Sequence, residues 1–154
     1  MRTPAIVINF KAYPEVCGER GLELARQCQD VAVDTGTEIV VCPQQTDLAL
    51  FVRELSIPVF AQHIDPVEAG GRTGHVTALA VKEAGAAGTL INHSERRMLM
   101  ADGEAAVAAA RKAGLTTIVC TNNLQVSRAA CALGPDFVAV EPPDPGPQGL
   151  DAEF

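Results

Sequence analysis

Gly88-Thr89-Leu90-Ile91-Asn92-His93-Ser94-Glu95-Arg96-Arg97 passes without a break from a short apolar run into a cluster of charged groups. A run this short and continuous reads as a strand buried on both faces of a parallel sheet, with the polar residues marking its C-terminal end. The same pattern recurs in both directions along the chain. Ala5–Ile8 leads into Asn9-Phe10-Lys11, Glu38–Cys42 into Pro43-Gln44-Gln45, Pro58–Ala61 into Gln62-His63, and Phe137–Val140 into Glu141, while Thr116–Cys120 completes the set.

Segments of helical character separate these runs. Leu22, Leu24, Ala25, Cys28 and Val31 keep approximate helical spacing before the Thr35-Gly36-Thr37 turn, and alanine-rich Ala105–Ala113 stops at Gly114. Asp47–Leu55, Thr77–Ala84 and Asn123–Leu133 are predicted to be the other helices. An alternation of strand and helix builds either an open doubly wound sheet or a closed β/α barrel, and periodicity does not choose between them. Polar residues at nearly every strand's C-terminal end suit the active face of a barrel. The strands start roughly every 26 residues, so six units fit the chain against eight in a full barrel of about 250 residues.

Composition narrows the function classes. The chain has 154 residues, 19 acidic and 12 basic, for a net charge of -7, which opposes general attraction to nucleic acid or an anionic membrane. Five cysteines without a C-x-x-C pair fit neither a disulfide framework nor a zinc ribbon and read as reduced thiols. Ala5–Ile8 is too short for a signal peptide or a membrane span, so a cytoplasmic location is expected. Three scattered histidines make a metal site unexpected, and His63 and His75 read as loop-supporting.

Taken singly, Lys11 reads as a solvated strand-end cation, His93 as a hydrogen-bonded packing residue and Glu141 as a strand terminus. Together at three strand ends, an ammonium, an imidazole and a lone carboxylate suit proton transfer beside a carbonyl.

Asn9-x-Lys11, Ala61-Gln62-His63, Asn92–Arg97 and Val140-Glu141-Pro142 resemble triose-phosphate isomerase in its short archaeal form. Cys42–Gln45 and Gly71–His75 share the resemblance, which runs in order from about residue 4 to Pro143. It implies a TIM-type (β/α) barrel, incomplete, with about six parallel strands over residues 1–143, followed by a divergent Pro/Gly-rich tail over 144–154. It also implies the interconversion of glyceraldehyde 3-phosphate and dihydroxyacetone phosphate through an enediolate, a step of glycolysis and gluconeogenesis that requires no cofactor.

Residue by residue, Lys11 matches the lysine that attracts the substrate and stabilises the enediolate, and Asn9 a neighbouring substrate-binding group. His93 matches the neutral electrophile, placed ahead of a helix N-terminus, and Glu141 the base. Glu95 matches a buried carboxylate paired with the lysine; Ser94, Arg96 and Arg97 are supporting residues, the arginines through ion pairs. Thr73, in the Gly70–Gly74 loop, matches a contact residue of a homo-oligomer, dimeric or tetrameric in the family.

From Asp144 the resemblance lapses. The lid and the phosphate-cradling glycine loops are expected to be missing, with open edges on the first and sixth strands and little or no isomerase activity. A noncatalytic, oligomerising fragment and a different phosphate-sugar binding α/β domain are the alternative readings.

Overall fold

The computed structural model describes residues 1–141; the tail expected over 144–154 lies outside the described residues. Six strands alternate with five α-helices: β1 Ala5–Asn9, α1 Gly18–Thr35, β2 Glu38–Cys42, α2 Leu48–Glu54, β3 Phe60–Ala61, α3 Ala78–Glu83, β4 Gly88–Ile91, α4 Met100–Ala113, β5 Thr116–Thr121, α5 Leu124–Ala132 and β6 Phe137–Val140. Gly114 takes φ 70° at the end of α4, a left-handed conformation that a glycine adopts without a Cβ clash.

All pairings are parallel and run in chain order. β1 pairs with β2, β3 with β4, β4 with β5 and β5 with β6, while a single bridge between Val41 and Val59 joins the two sets. A doubly wound sheet would reverse its strand order at a switch point. The unreversed order is that of a barrel, and among the described residues β1 and β6 do not pair to close it.

β3 is shorter than Pro58–Ala61 because Pro58 has no N–H to give to a ladder; its carbonyl instead accepts from Val41 at 3.2 Å. α4 begins five residues before the predicted Ala105, and α1 extends beyond its apolar spacing at both ends.

The two faces of the sheet make two cores. Val41, Ile91 and Val119 face the helices and pack with Leu22, Phe51, Val81 and Val107. One position along each strand, Val40, Cys42, Leu90 and Ile118 turn inward around Phe60. This period-two alternation is the signature of strands covered on both sides. Gly88 lies where a Cβ would come within 2.5 Å of the Phe60 ring, so the inner core closes over a position that only glycine fits.

Candidate active site

Each strand end sets one group at the same rim. β1 leaves the sheet through Phe10, which is buried, stacks edge-on against Phe51 with ring centroids 5.8 Å apart, and donates its N–H to Cys42 O at 3.0 Å. That contact fixes the turn carrying Lys11. β4 ends at Ile91 and leads into Asn92-His93, and Glu141 follows β6, its N–H donating to Thr121 O at 2.7 Å.

The charged groups form a continuous line across the rim. Lys11 Nζ donates to Glu95 Oε1 at 3.2 Å, Glu95 Oε2 lies 3.6 Å from His93 Nδ1, and His93 Nε2 lies 3.3 Å from Glu141 Oε1. Residues 84 positions apart in sequence thus meet because the strand order brings β1, β4 and β6 around one end of the sheet. The hydrogen bond and charge of Glu95 raise the Lys11 pKa above its ordinary value, keeping the ammonium charged.

His93 differs from the others in being buried, with 8% of its side chain exposed. The Glu95 N–H donates to its Nδ1 at 3.2 Å. A neutral imidazole accepting at Nδ1 carries its proton on Nε2, the nitrogen facing Glu141 and the rim. This N–H belongs to a single turn at Ser94-Glu95, in which Arg96 N–H donates to His93 O at 2.8 Å. The helix expected directly after His93 starts only at Met100, because Asn92 Oδ1 takes up the Met98 N–H and holds the intervening chain as a loop.

Two further expectations change. Glu95 pairs with Lys11, but its side chain is 58% exposed rather than buried, since its turn projects beyond the strand ends at the open rim. Arg96 makes an ion pair, 3.6 Å from Asp65 Oδ1. Arg97 donates to backbone carbonyls instead, at Asn92 O. Ser94 is exposed within the turn, and Asn9 Oδ1 accepts the Lys11 N–H at 3.0 Å.

A cavity of about 620 Å³ opens beside Lys11, Glu95 and His93, lined also by Asn9 and Arg96 and, toward the base of the Gly70–Gly74 loop, by Gln62, His63 and Asp65; Glu141 stands outside its lining, in contact with His93. Asp65 closes that loop: its N–H donates to Val76 O at 2.8 Å and its Oδ2 accepts the Val76 N–H at 2.7 Å. His63 Nε2 stands 3.1 Å from Asp65 Oδ1, and burial lowers the His63 pKa despite that carboxylate. For Asp65, burial acts upward, and the bonds from Val76 and His63 together bring it below its ordinary value. Thr73 is exposed in the loop.

Sequence reading assigned no role to Gln62, Asp65 or Asn92. Gln62 donates to both Lys11 O and Cys42 O, each at 2.9 Å. Its place directly after β3, at the same end as the charged groups, was the available signal.

A family model described as triosephosphate isomerase matches residues 4–144. Over 142 residues the chain is 54% identical to the triosephosphate isomerase of Methanothermobacter thermautotrophicus, an alignment covering 92% of this chain and 62% of that protein. It is 52% identical over 139 residues to that of Methanocaldococcus jannaschii, covering 90% and 64%. The crystal structure of triosephosphate isomerase from Bartonella henselae is similar with a TM-score of 0.75 and 27% identity, over 90% of this chain and 68% of that one. The chain therefore spans less than two thirds of the length of these curated archaeal relatives.

Proposed function

The chain belongs to the triosephosphate isomerase family, and from that premise we propose that it carries the proton-transfer groups of an aldose–ketose isomerase acting on phosphorylated trioses. The observation that carries this reading is the line Lys11–Glu95–His93–Glu141, with His93 Nε2 3.3 Å from Glu141 Oε1. A carbonyl and its neighbouring carbon dock against this pair by displacing its direct contact. Glu141 removes the proton from that carbon, His93 Nε2–H polarises the oxygen, and the Lys11 ammonium stabilises the enediolate charge. The same carboxylate then returns the proton at the adjacent carbon. Asn9 assists through the Lys11 turn, and the chemistry requires no cofactor.

Among the described residues, the Lys and Arg cations lining the cavity are Lys11 and Arg96. Binding of the remote phosphate is what converts affinity into turnover for a small substrate. The Lys11, Glu95 and Glu141 side chains stand 37%, 58% and 45% exposed, so an enediolate formed beside them is expected to meet water and to expel phosphate, giving methylglyoxal, in competition with slow isomerisation. The substrate pair proposed is glyceraldehyde 3-phosphate and dihydroxyacetone phosphate, in a cytoplasmic setting; among the described residues no helix is long and apolar enough to cross a membrane. Residues 1–143 act as the catalytic barrel portion in this reading, and 144–154 as an appended tail.

A coupled isomerase assay tests the proposal. Activity above the uncatalysed rate that falls at least tenfold in Lys11→Ala is expected. Activity absent, or equal in parent and variant, contradicts it.

A second reading is a noncatalytic chain that associates with copies of itself. The exposure of Ile6 at 52% and Val140 at 54%, on the two strands that among the described residues have one free edge, favours it, and Thr73 is the proposed loop contact. Sedimentation of a monomer at all concentrations would set it aside.

A further inference from the structure

Among the described residues, two other than glycine hold the left-handed backbone conformation, Lys11 at φ 54° and Asn92 at φ 62°. Side chains with a Cβ disfavour that region, so the surroundings must hold it. Both residues belong to the site: one supplies the ammonium and the other immediately precedes His93.

The two are held in the same way. Gln62 Nε2 donates to Lys11 O and to Cys42 O, the carbonyl that ends β2, each at 2.9 Å. Arg97 Nη1 donates to Asn92 O at 2.9 Å and to Cys120 O, near the end of β5, at 3.4 Å. In each case one side-chain nitrogen bridges the strained residue's carbonyl to the C-terminal end of the neighbouring strand. An amide nitrogen has two hydrogens and a terminal guanidinium nitrogen two, so each bridge uses the donors of one atom. The other side of each strained residue is tied as well: Asn9 Oδ1 accepts the Lys11 N–H at 3.0 Å, and the Asn92 side chain itself donates to Cys120 O at 2.9 Å.

We propose that Gln62 and Arg97 are positioning residues, Gln62 fixing Lys11 and Arg97 fixing the Asn92–His93 peptide, each through its bridge between strand ends. Relaxation of Lys11 to negative φ would swing its Cα–Cβ bond and carry Nζ away from Glu95. Relaxation of Asn92 would turn the following imidazole from the Glu95 N–H that sets its tautomer. The proposal rests on reading Lys11 and His93 as site groups, but the bridges act whether or not the chain turns over substrate.

The test is a crossed comparison by nuclear magnetic resonance without substrate. Lys11, Lys82 and Lys112 are the only lysines of the chain, and His63, His75 and His93 the only histidines, so ¹³C-methylated lysines and ¹⁵N-labelled imidazoles give resolvable signals. Gln62→Met is expected to shift the Lys11 signal and lower its titration midpoint while leaving His93 unchanged. Arg97→Met is expected to move the His93 ring nitrogens from the Nε2–H form toward a tautomer mixture while leaving Lys11 unchanged. Gln62→Leu, which removes the amide donors without adding a charge, repeats the first arm where Met perturbs folding. Signals that move together in either variant, that move in neither, or that collapse along with Lys82 and His75 in both Gln62 variants would overturn the assignment. A chain with crossed shifts and no isomerase activity removes the catalytic reading and leaves the bridges standing.

Discussion

β4 and β6 each deliver one group to the rim, from opposite surroundings. β4 is buried at all four positions between β3 and β5, and the His93 side chain that follows it is 8% exposed. β6 has one paired side, is only partly buried, and ends in Val140 at 54% exposure and Glu141 with 45% of its side chain exposed. β1 mirrors β6 at the other edge, with Ile6 52% exposed and Lys11 37%. The centre of the sheet therefore carries the imidazole in buried surroundings, while the ammonium and the carboxylate arrive from strands with a free side. Edge position explains why the site is complete in its charged groups and yet open to water.

The contrast breaks most visibly if the base is not a base. Glu141→Gln keeps the shape of the edge and removes the proton acceptor, and is expected to reduce any proton-transfer rate by roughly 10²–10⁴-fold, measured as initial rate at saturating substrate. Next in size is stability. Phe60→Ala, in the inner core, is expected to cost about 3–5 kcal/mol in urea denaturation, whereas Val140→Ala at the edge is expected to cost well under half of that. Equal costs would mean that the edge is as packed as the centre.

Self-association provides a third measure. An unpaired strand with exposed apolar residues templates pairing with another chain, and a lysine there opposes it. Ile6→Lys and Val140→Lys are expected to shift sedimentation toward monomer, while Leu79→Lys, on α3 away from both edges, leaves it unchanged.

The smallest effect is the pH dependence of the Lys11–Glu95 pair. Because pairing raises the folded-state pKa of Lys11, its stabilisation is fully present below the unfolded lysine value and is lost as pH rises through the raised value. Urea midpoints across this alkaline range are expected to fall slightly more steeply for the parent than for Glu95→Gln. A parallel pair of curves would show that the exposed contact contributes nothing.

The strands were legible because both faces of a parallel sheet are apolar, so Gly88–Ile91 and Phe137–Val140 announce themselves as continuous runs. The helix ends were legible where capping chemistry is local, as at Thr77 and Asn123, whose side chains accept from Ala80 and Val126. His93, Lys11 and Glu141 were singled out because each follows an apolar run at a strand end and lies in a motif that resembles the family's.

Burial of Glu95 and the helix after His93 were misread for a common reason. Both depend on what surrounds the Ser94–Arg97 turn, and that is set by loop path and open edges rather than by local spacing. The Gln62 and Arg97 bridges were hidden for a similar reason, since they join residues 20 to 51 positions apart for Gln62 and depend on left-handed backbone that neither lysine nor asparagine declares in sequence.

Proton exchange tests the meeting of centre and edge most directly. Dihydroxyacetone phosphate incubated with the chain in deuterium oxide is expected to gain deuterium at the carbon beside its carbonyl, with methylglyoxal forming alongside, and to lose both signals in Glu141→Gln and in His93→Ala. Deuterium uptake at the buffer rate, or uptake unchanged by either substitution, would contradict the assignment of these groups to one proton-transfer site.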